Sequence, residues 1–597
     1  MPKIAIQGFD GLVPRMSATM LADSQAQTAT NVKLYSRELR FWRGSTLQAA
    51  TVVASCQSIY KFYASASNIY WLTWGNVGVS VLPAPVTDTT DYRLYYTGDG
   101  APKKTNETLA STGSGPMPRA WRYMGVPAPV AAPTVAPSGG AGTPESRAYV
   151  YTYISTFGAV SEESAPSPPS AIISAPLGAT VTVNAFSAAP TTGYNITAIR
   201  IYRTVSGQQT DSYQFVAQIA IATTTYADSL TAAQLGAVIT TIGWDTPSAN
   251  LAGMIPLPSG AFAAFDGNTV YFSEPFFPHA WPAKYALNIP APIVGLAAFG
   301  TSIAVMTTRY PYIIHGVVPG SMSTERVPSL EPCVSARSII TAQFGVLYAS
   351  PNGLMQIGSY QTAIQTNALF RRDEWQAITP DFINAVSYDN KYFAFYPITA
   401  TNVSSFILSQ DDVPALSKLE IRASAVHADG RQARLYYLNP VDNSIYQMDS
   451  DDLNPMTYTW KSKRFALPLG TTFSALKLDG DFGQVSLATA YNASIAAVIA
   501  ANQALFANPL KGAVDAAALN VYDLNGSILG NSPPTAGARQ AQVLIYGDGT
   551  LKATLLVSNW NPVRIPPFRS RDIEVQINGN ISVRSVSLAT SVTELHT

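Results

Sequence analysis

Residues Ala385–Pro397 read AVSYDNKYFAFYP, two apolar runs that alternate with period two around Asp389–Asn390. Alternation at that period is the mark of a half-buried strand, and Asp and Asn tolerate the positive φ of a tight turn, so the stretch predicts a β-hairpin. The same pattern recurs on both sides of it. Ala261–Ser273 (AFAAFDGNTVYFS) turns at Asp266–Gly267–Asn268, Ala433–Met448 at Asp442–Asn443, and Gln542–Val557 at Asp548–Gly549. Ser58–Ser80 (SIYKFYASASNIYWLTWGNVGVS) gives two aromatic-rich strands joined by a small polar turn. Hairpins dominate the chain, which is therefore expected to be mainly β.

Between about Pro292 and Asp449 the strands fall in groups of three or four, the size of a propeller blade. Ser58–Pro85 and Tyr92–Thr105 are further candidate blades, giving an irregular β-propeller of roughly six or seven. The period is uneven and neither a WD nor a kelch signature is present, so a split sandwich is the alternative architecture. Val126–Pro144 (VPAPVAAPTVAPSGGAGTP) is a linker by composition. After it, strands at Arg147–Thr156, Thr180–Ala185, Ala198–Thr204 and Tyr213–Ala222 have the spacing of an inserted immunoglobulin- or fibronectin-type sandwich ending near Trp244–Asp245. Strands at Phe473–Leu478, Val543–Ser558 and Ile573–Leu588 predict a terminal sandwich. Val485–Leu510 carries no charged residue, and Ile495, Val498, Ile499, Leu505 and Phe506 fall at helical spacing. The expected organisation is an N-terminal arm with the first blades (1–135), an inserted immunoglobulin/fibronectin III-like domain (140–244), the remaining blades (245–459), and a C-terminal β-sandwich (460–597) with a helical insertion near 488–507.

Apolar residues make up 47% of the 597 and charged residues only 12%, with Lys plus Arg equal to Asp plus Glu at 37 each. That charged share is roughly half the usual one. A net-neutral chain has no electrostatic footprint for tight nucleic-acid binding, and it suits a subunit that hides surface in an assembly. An ordinary low-charge all-β protein is the plainer reading. Cys56 and Cys333 are too few for a disulfide scaffold, and the single histidines His279, His315, His427 and His596 form no metal-binding pair. Met1–Gly11 lacks the form of a signal peptide, and no twenty-residue apolar run predicts a membrane anchor. The expected site of synthesis is a cytoplasm.

Nothing in the sequence forms a catalytic constellation: GxSxG, P-loop, HExxH and kinase motifs are missing, and no catalytic, cofactor or metal residue is assigned. Glu162–Glu163, Asp411–Asp412 and Asp451–Asp452 are the pairs to weigh for glycoside hydrolysis, but turn chemistry explains most acids here. Lys103–Lys104, Arg371–Arg372, Lys461 with Lys463–Arg464, and Arg569 with Arg571 are short basic clusters without interleaved aromatics, read as solvated surface or salt bridges.

Several stretches resemble a family of phage tail proteins. In GFDGLVPRMSATMLADSQAQTATNVKLYSRELRFWRGS the matching positions are Pro14–Arg15, Leu21, Ala26, Ala29, Asn31, Leu34, Leu39 and Arg43. RLYYTGDGAPKKTN (Arg93–Asn106), VSEESAPSPPS with RIYRT, FSEPFFPHAWP (Phe272–Pro282) and VLYASPNGLMQIG (Val346–Gly358) are the others. Together they are similar to the tail tubular protein B or nozzle class of short-tailed bacteriophages. The resemblance implies a non-enzymatic, hexameric, propeller-bearing tube below the adaptor ring of the capsid vertex. Such a tube carries tail fibres or spikes outside, contacts passing DNA transiently during genome ejection, and is assembled in the host bacterial cytoplasm into the virion tail. The insertion at Arg147–Trp244 departs from the simplest nozzle pattern. A receptor- or carbohydrate-binding virion tail protein is the alternative function, and its mark would be an exposed aromatic-and-acid cluster in one loop set.

Overall fold

The computed structural model describes residues 3–595, except 51–52, 66, 87–90, 206–211, 343–344, 359–361, 398–402, 410–414 and, apart from 497 and 500, 483–540. Of the expected helix near 488–507 only residues 497 and 500 are described, both helical, and the rest lies outside the described residues.

The hairpin reading holds at the level of single dihedrals. Asp389 and Asn390 both take positive φ (50° and 54°), as do Asp548 and Gly549 (48° and 78°), the requirement of a two-residue type I′ turn. Such hairpins build seven meanders among the described residues. Blade 1 has only Ser58–Tyr63 and Ile69–Trp74, and blade 2 runs through Ser80–Pro83, Arg93–Thr97, Lys103–Asn106 and Arg122–Tyr123. Blade 3 is Ala252–Pro256, Phe262–Asp266, Thr269–Phe272 and Leu287–Asn288; blade 4 is Ile293–Phe299, Ser302–Thr307, Tyr312–His315 and Ser323–Arg326. Blade 5 is Ile340–Ala342, Gly345–Ser350, Gly353–Ile357 and Thr362–Ile364, and blade 6 is Asn384–Tyr388, Lys391–Pro397, Val403–Ser409 and Leu416–Leu419. Blade 7 is Ala425–Asp429, Arg434–Asn439 and Ser444–Asp451, with Gly44–Ala50 as its outer strand.

Each blade presses a face on the next, and each junction has its own core. Phe62 and Leu72 meet Leu94 and Tyr96 between blades 1 and 2, and Tyr95 meets Met254 and Phe262 between 2 and 3. Ala263 meets Leu296 between 3 and 4, and Met306 meets Tyr348 between 4 and 5. Leu347 meets Tyr392 between 5 and 6, and Phe393 meets Tyr437 between 6 and 7. Ile59 against Tyr436 and Leu438 closes the circle from blade 7 to blade 1. Seven sheets packed face to face in a closed sequence make a β-propeller, here irregular because blade 1 is short and blade 7 borrows a strand.

Two expectations need correction. The first fifty residues are not an arm of the first blades: Ile4–Gln7 pairs with Val583–Ala589 in the C-terminal sandwich, and Ala26–Thr30 lies between Leu416–Leu419 and Tyr458–Ser462. That strand makes blade 6 continuous with the second C-terminal sheet, a ten-stranded sheet that also crosses the expected 459/460 boundary. Gly11 permits the close approach, because a Cβ there would strike the Leu416 backbone. Second, the stretch 126–144 is not wholly a linker. Thr134–Ser138 pairs with Thr180–Asn184, so the inserted sandwich begins earlier than residue 140.

In that insertion the four-stranded sheet runs Val160–Glu163, Tyr149–Phe157, Ile196–Thr204, Tyr213–Ala220, the C′–C–F–G order of immunoglobulin-type folds. The facing sheet departs from it, since Thr225–Asp228 joins Thr180–Asn184 only after the last strand of the first sheet. Tyr149, Tyr151 and Tyr153 pack between the sheets against Val181 and Val183. The Pro/Ser segment Ser164–Ser170 seals the edge of Tyr149–Phe157. Ser164, Ser167 and Ser170 each donate their backbone N–H to Tyr153, Tyr151 and Tyr149 (2.8–2.9 Å), and each Oγ accepts the same tyrosine's N–H. Proline cannot supply such a pairing, so the three serines are the only residues of the run that can. Ser167→Ala should orphan the buried Tyr151 N–H and lower the stability of the sandwich by about 1–3 kcal/mol, read as a reduced urea midpoint at unchanged slope. An unchanged midpoint would remove the ladder's stabilising role.

Candidate functional site: an axial cavity and an aromatic loop

The first strand of each blade is the innermost, so these strands face the propeller axis. On the axial side of blades 2 to 5 they leave a cavity of about 580 Å³, within the range of small-molecule sites. Its wall is mainly apolar: Val79, Ile255, Val294, Leu296 and Ile339, with the glycines Gly78, Gly253 and Gly295 giving up side-chain volume. The one charged residue of the lining is Arg337, in the short 3₁₀ turn Ala336–Ser338. Its Nη2 donates to the Ser424 carbonyl, and among the described residues no carboxylate pairs with it. Burial alone pulls its guanidinium down to about 10. The sequence carried no motif for this residue.

A second feature lies outside the axis. Phe276 and Phe277 are 55% and 46% exposed beside Trp244, whose ring is 4.9 Å from that of Phe277. Phe276 holds a left-handed φ of 66°, unusual for an aromatic residue. Its N–H donates to the Gly260 carbonyl, and the ring lies over Gly260, where any Cβ would collide with it. Asp245 and Glu274 flank the group, so one loop set brings together aromatic rings and acids. His279 backs it; burial lowers its pKa, keeping it neutral at pH 7.

The paired acids weighed from the sequence do not converge. Glu162 and Glu163 are adjacent in a strand and point to opposite faces. Glu162 pairs with Lys104, whereas Glu163 takes Arg200, Thr152 and Tyr202. Asp451 holds the Leu453 N–H and Asn454, Asp452 faces Arg43, and Asp411–Asp412 lie outside the described residues. The basic clusters are largely neutralised within the chain: Lys103 by Asp99, Lys461 and Arg464 by Glu574, Lys463 by Asp23. Arg371 donates its backbone N–H to Glu374, and Arg569 bonds the Gly470 carbonyl.

At the closure between blades 7 and 1, Lys61 reaches Asp429 (3.3 Å) and the Tyr436 hydroxyl (2.6 Å), and Tyr63 also donates to Asp429. Burial raises the Asp429 carboxyl, but bonds from Tyr63, the Arg431 N–H and Lys61 outweigh it and hold the carboxyl below its usual value. A depressed carboxyl contributes stability above its unfolded pKa that is lost as pH falls through the folded one. Burial lowers His427 to about 4, so it stays an uncharged packing partner of Tyr60 and Trp71. Cys56 and Cys333 are both buried free thiols. Among the described residues no three His, Cys, Asp or Glu side chains converge as a metal site, and no helix is long and apolar enough to cross a membrane.

No family model matches this sequence, and no curated protein matches it. Among solved structures the chain is similar to BBS1N in its complex with ARL6DN, at 9% identity over 68% of this chain and 96% of that one, with a TM-score of 0.29. It is also similar to BamB from Moraxella catarrhalis, at 12% identity over 68% and 98%, with a TM-score of 0.28. The β-propeller rests on the seven sheets and their shared cores in this chain.

Proposed function

We propose that this chain is a structural tail-tube (nozzle) subunit of a short-tailed bacteriophage, forming a homo-oligomeric ring, a hexamer, that conducts DNA during genome ejection. In this reading it sits below the tail adaptor ring, carries fibres or spikes on its outer face, touches DNA only in passing, and catalyses nothing. The observation that carries it is the surface. On a chain of zero net charge, large apolar side chains stand exposed on every module: Val130 and Ile172 on the insertion, Leu330 and Val441 on the propeller, Leu469 on the C-terminal sandwich, all above 70%. Singly exposed apolar residues are ordinary on a monomer, and what favours a subunit is their combination with a net-neutral chain of only 12% charged residues, which is prone to associate. The propeller's own cavity is ligand-sized, so the DNA path in this reading runs between subunits and not along a propeller axis.

The aromatic-and-acid loop of Trp244, Asp245, Glu274, Phe276 and Phe277 favours a second reading, a receptor- or carbohydrate-binding virion tail protein. Imaging assembled virions that carry a labelled copy of this chain separates the two. Label in a six-fold ring around the DNA path is the expected result. Label on the capsid shell, or on a spike remote from that path, would overturn the tail-tube reading, and the spike position would support the second.

A further inference from the structure

The axial cavity combines three properties that a packed core does not need. It is a hollow of about 580 Å³ walled mainly by aliphatic side chains, it holds a single cation, and that cation has no counter-ion among the described residues. Arg337 is not required to satisfy Ser424, because the Ser424 carbonyl also accepts from Asn384 Nδ2 at 3.3 Å. A guanidinium has five N–H donors in a planar fork, and the bond to Ser424 uses one nitrogen, Nη2. Arg337 is half-buried, and taking even part of an unpaired charge out of water is costly, while the low-dielectric wall screens its field less than water would.

We propose that this cavity is a binding site for a small amphiphilic monoanion, an aliphatic chain ended by a carboxylate, with Arg337 holding the carboxylate and the aliphatic wall holding the chain. The fork geometry of arginine matches a carboxylate through two parallel hydrogen bonds. A single cation neutralises one negative charge, so a nucleotide or other polyanion would enter under-compensated. The apolar wall in turn disfavours a small hydrophilic anion such as acetate, which would desolvate without gaining contact area. This inference does not depend on the tail-tube reading.

The test is titration calorimetry of the full chain with decanoate, using decylamine and acetate as the charge-reversed and chain-less controls. Decanoate should bind with one-to-one stoichiometry and a negative heat-capacity change, and each control at least tenfold more weakly. Arg337→Gln, which removes the charge but keeps a donor, should weaken decanoate at least tenfold, and Arg337→Lys should retain more of the affinity. Ala336→Trp, at an exposed position of the lining, should block binding by filling the cavity. The thermal midpoints of the unliganded variants confirm that each has folded. Absence of saturable binding to the wild type, equal affinity of Arg337→Gln, or equal binding of decylamine would overturn the proposal. Unchanged binding to Ala336→Trp would move the ligand elsewhere and overturn it as well.

Discussion

Deleting residues 1–50 should abolish the cooperative fold, although every blade except the seventh keeps all its own strands. The deleted segment supplies three strands to three places: the edge strand Ile4–Gln7, the internal strand Ala26–Thr30, and the outer strand Gly44–Ala50 of blade 7. Loss of Ala26–Thr30 cuts the ten-stranded sheet in two and leaves two raw edges, on Leu416–Leu419 and on Tyr458–Ser462. Ile4, Ile6, Phe9, Leu12, Leu21, Val32 and Leu39 are buried in the largest core, and Trp42 in the core between blades 6 and 7. At about 1.5–3 kcal/mol for each large buried side chain, the deficit of about 12–24 kcal/mol matches or exceeds the typical 5–15 kcal/mol that separates folded from unfolded states. Asn31 adds specific stitching, since its side chain donates to Glu420 and accepts the Glu420 N–H, both at 2.8 Å. Near-UV circular dichroism and sedimentation of the shortened chain check the expectation. A monomer with one sharp urea transition at the wild-type midpoint would refute it.

The hairpins were legible because their information is local. Asp389–Asn390 and Asp548–Gly549 need positive φ at two consecutive residues, and those residue types tolerate it. Blade limits were harder to read. Arg93–Thr97 and Gly345–Ser350 are buried at every position, because neighbouring blades cover both faces and erase the alternation. Thr134–Ser138 hid in a proline-rich run, yet it is an edge strand, where Pro137 need not donate to a neighbour. The N-terminal strands were invisible for a different reason: Thr30 pairs with Lys418 and Ile4 with Leu588, and local periodicity says nothing about partners so far along the chain. Arg337 was equally silent, because its interest lies in the acids that do not surround it in space.

Lys104→Met should be the most damaging single substitution at the junction between the insertion and the propeller. Lys104 lies on blade 2 and Glu162 on the insertion, with side-chain exposures of 0% and 3%, so their ion pair is sealed between the two units. The lysine ammonium also lies 5.1 Å from the Phe157 ring centroid and 3.4 Å from the Met124 carbonyl. Burial pulls the ammonium below its usual pKa, and the Glu162 carboxylate opposes that pull. Breaking a buried pair from one side leaves an uncompensated charge, which costs about 3–5 kcal/mol. One Glu162 oxygen already lacks a hydrogen-bond partner, and Lys104 holds the other, so losing the lysine leaves the carboxylate without its ion-pair partner. Lys104→Met combined with Glu162→Met removes both charges and should return to within about 1 kcal/mol of the wild type, because well-packed apolar pairs replace buried ion pairs at little cost. Urea titrations of both single variants and of the double variant give the coupling directly. Equal stability of the single and double variants would show that the pair does not hold the insertion to the propeller.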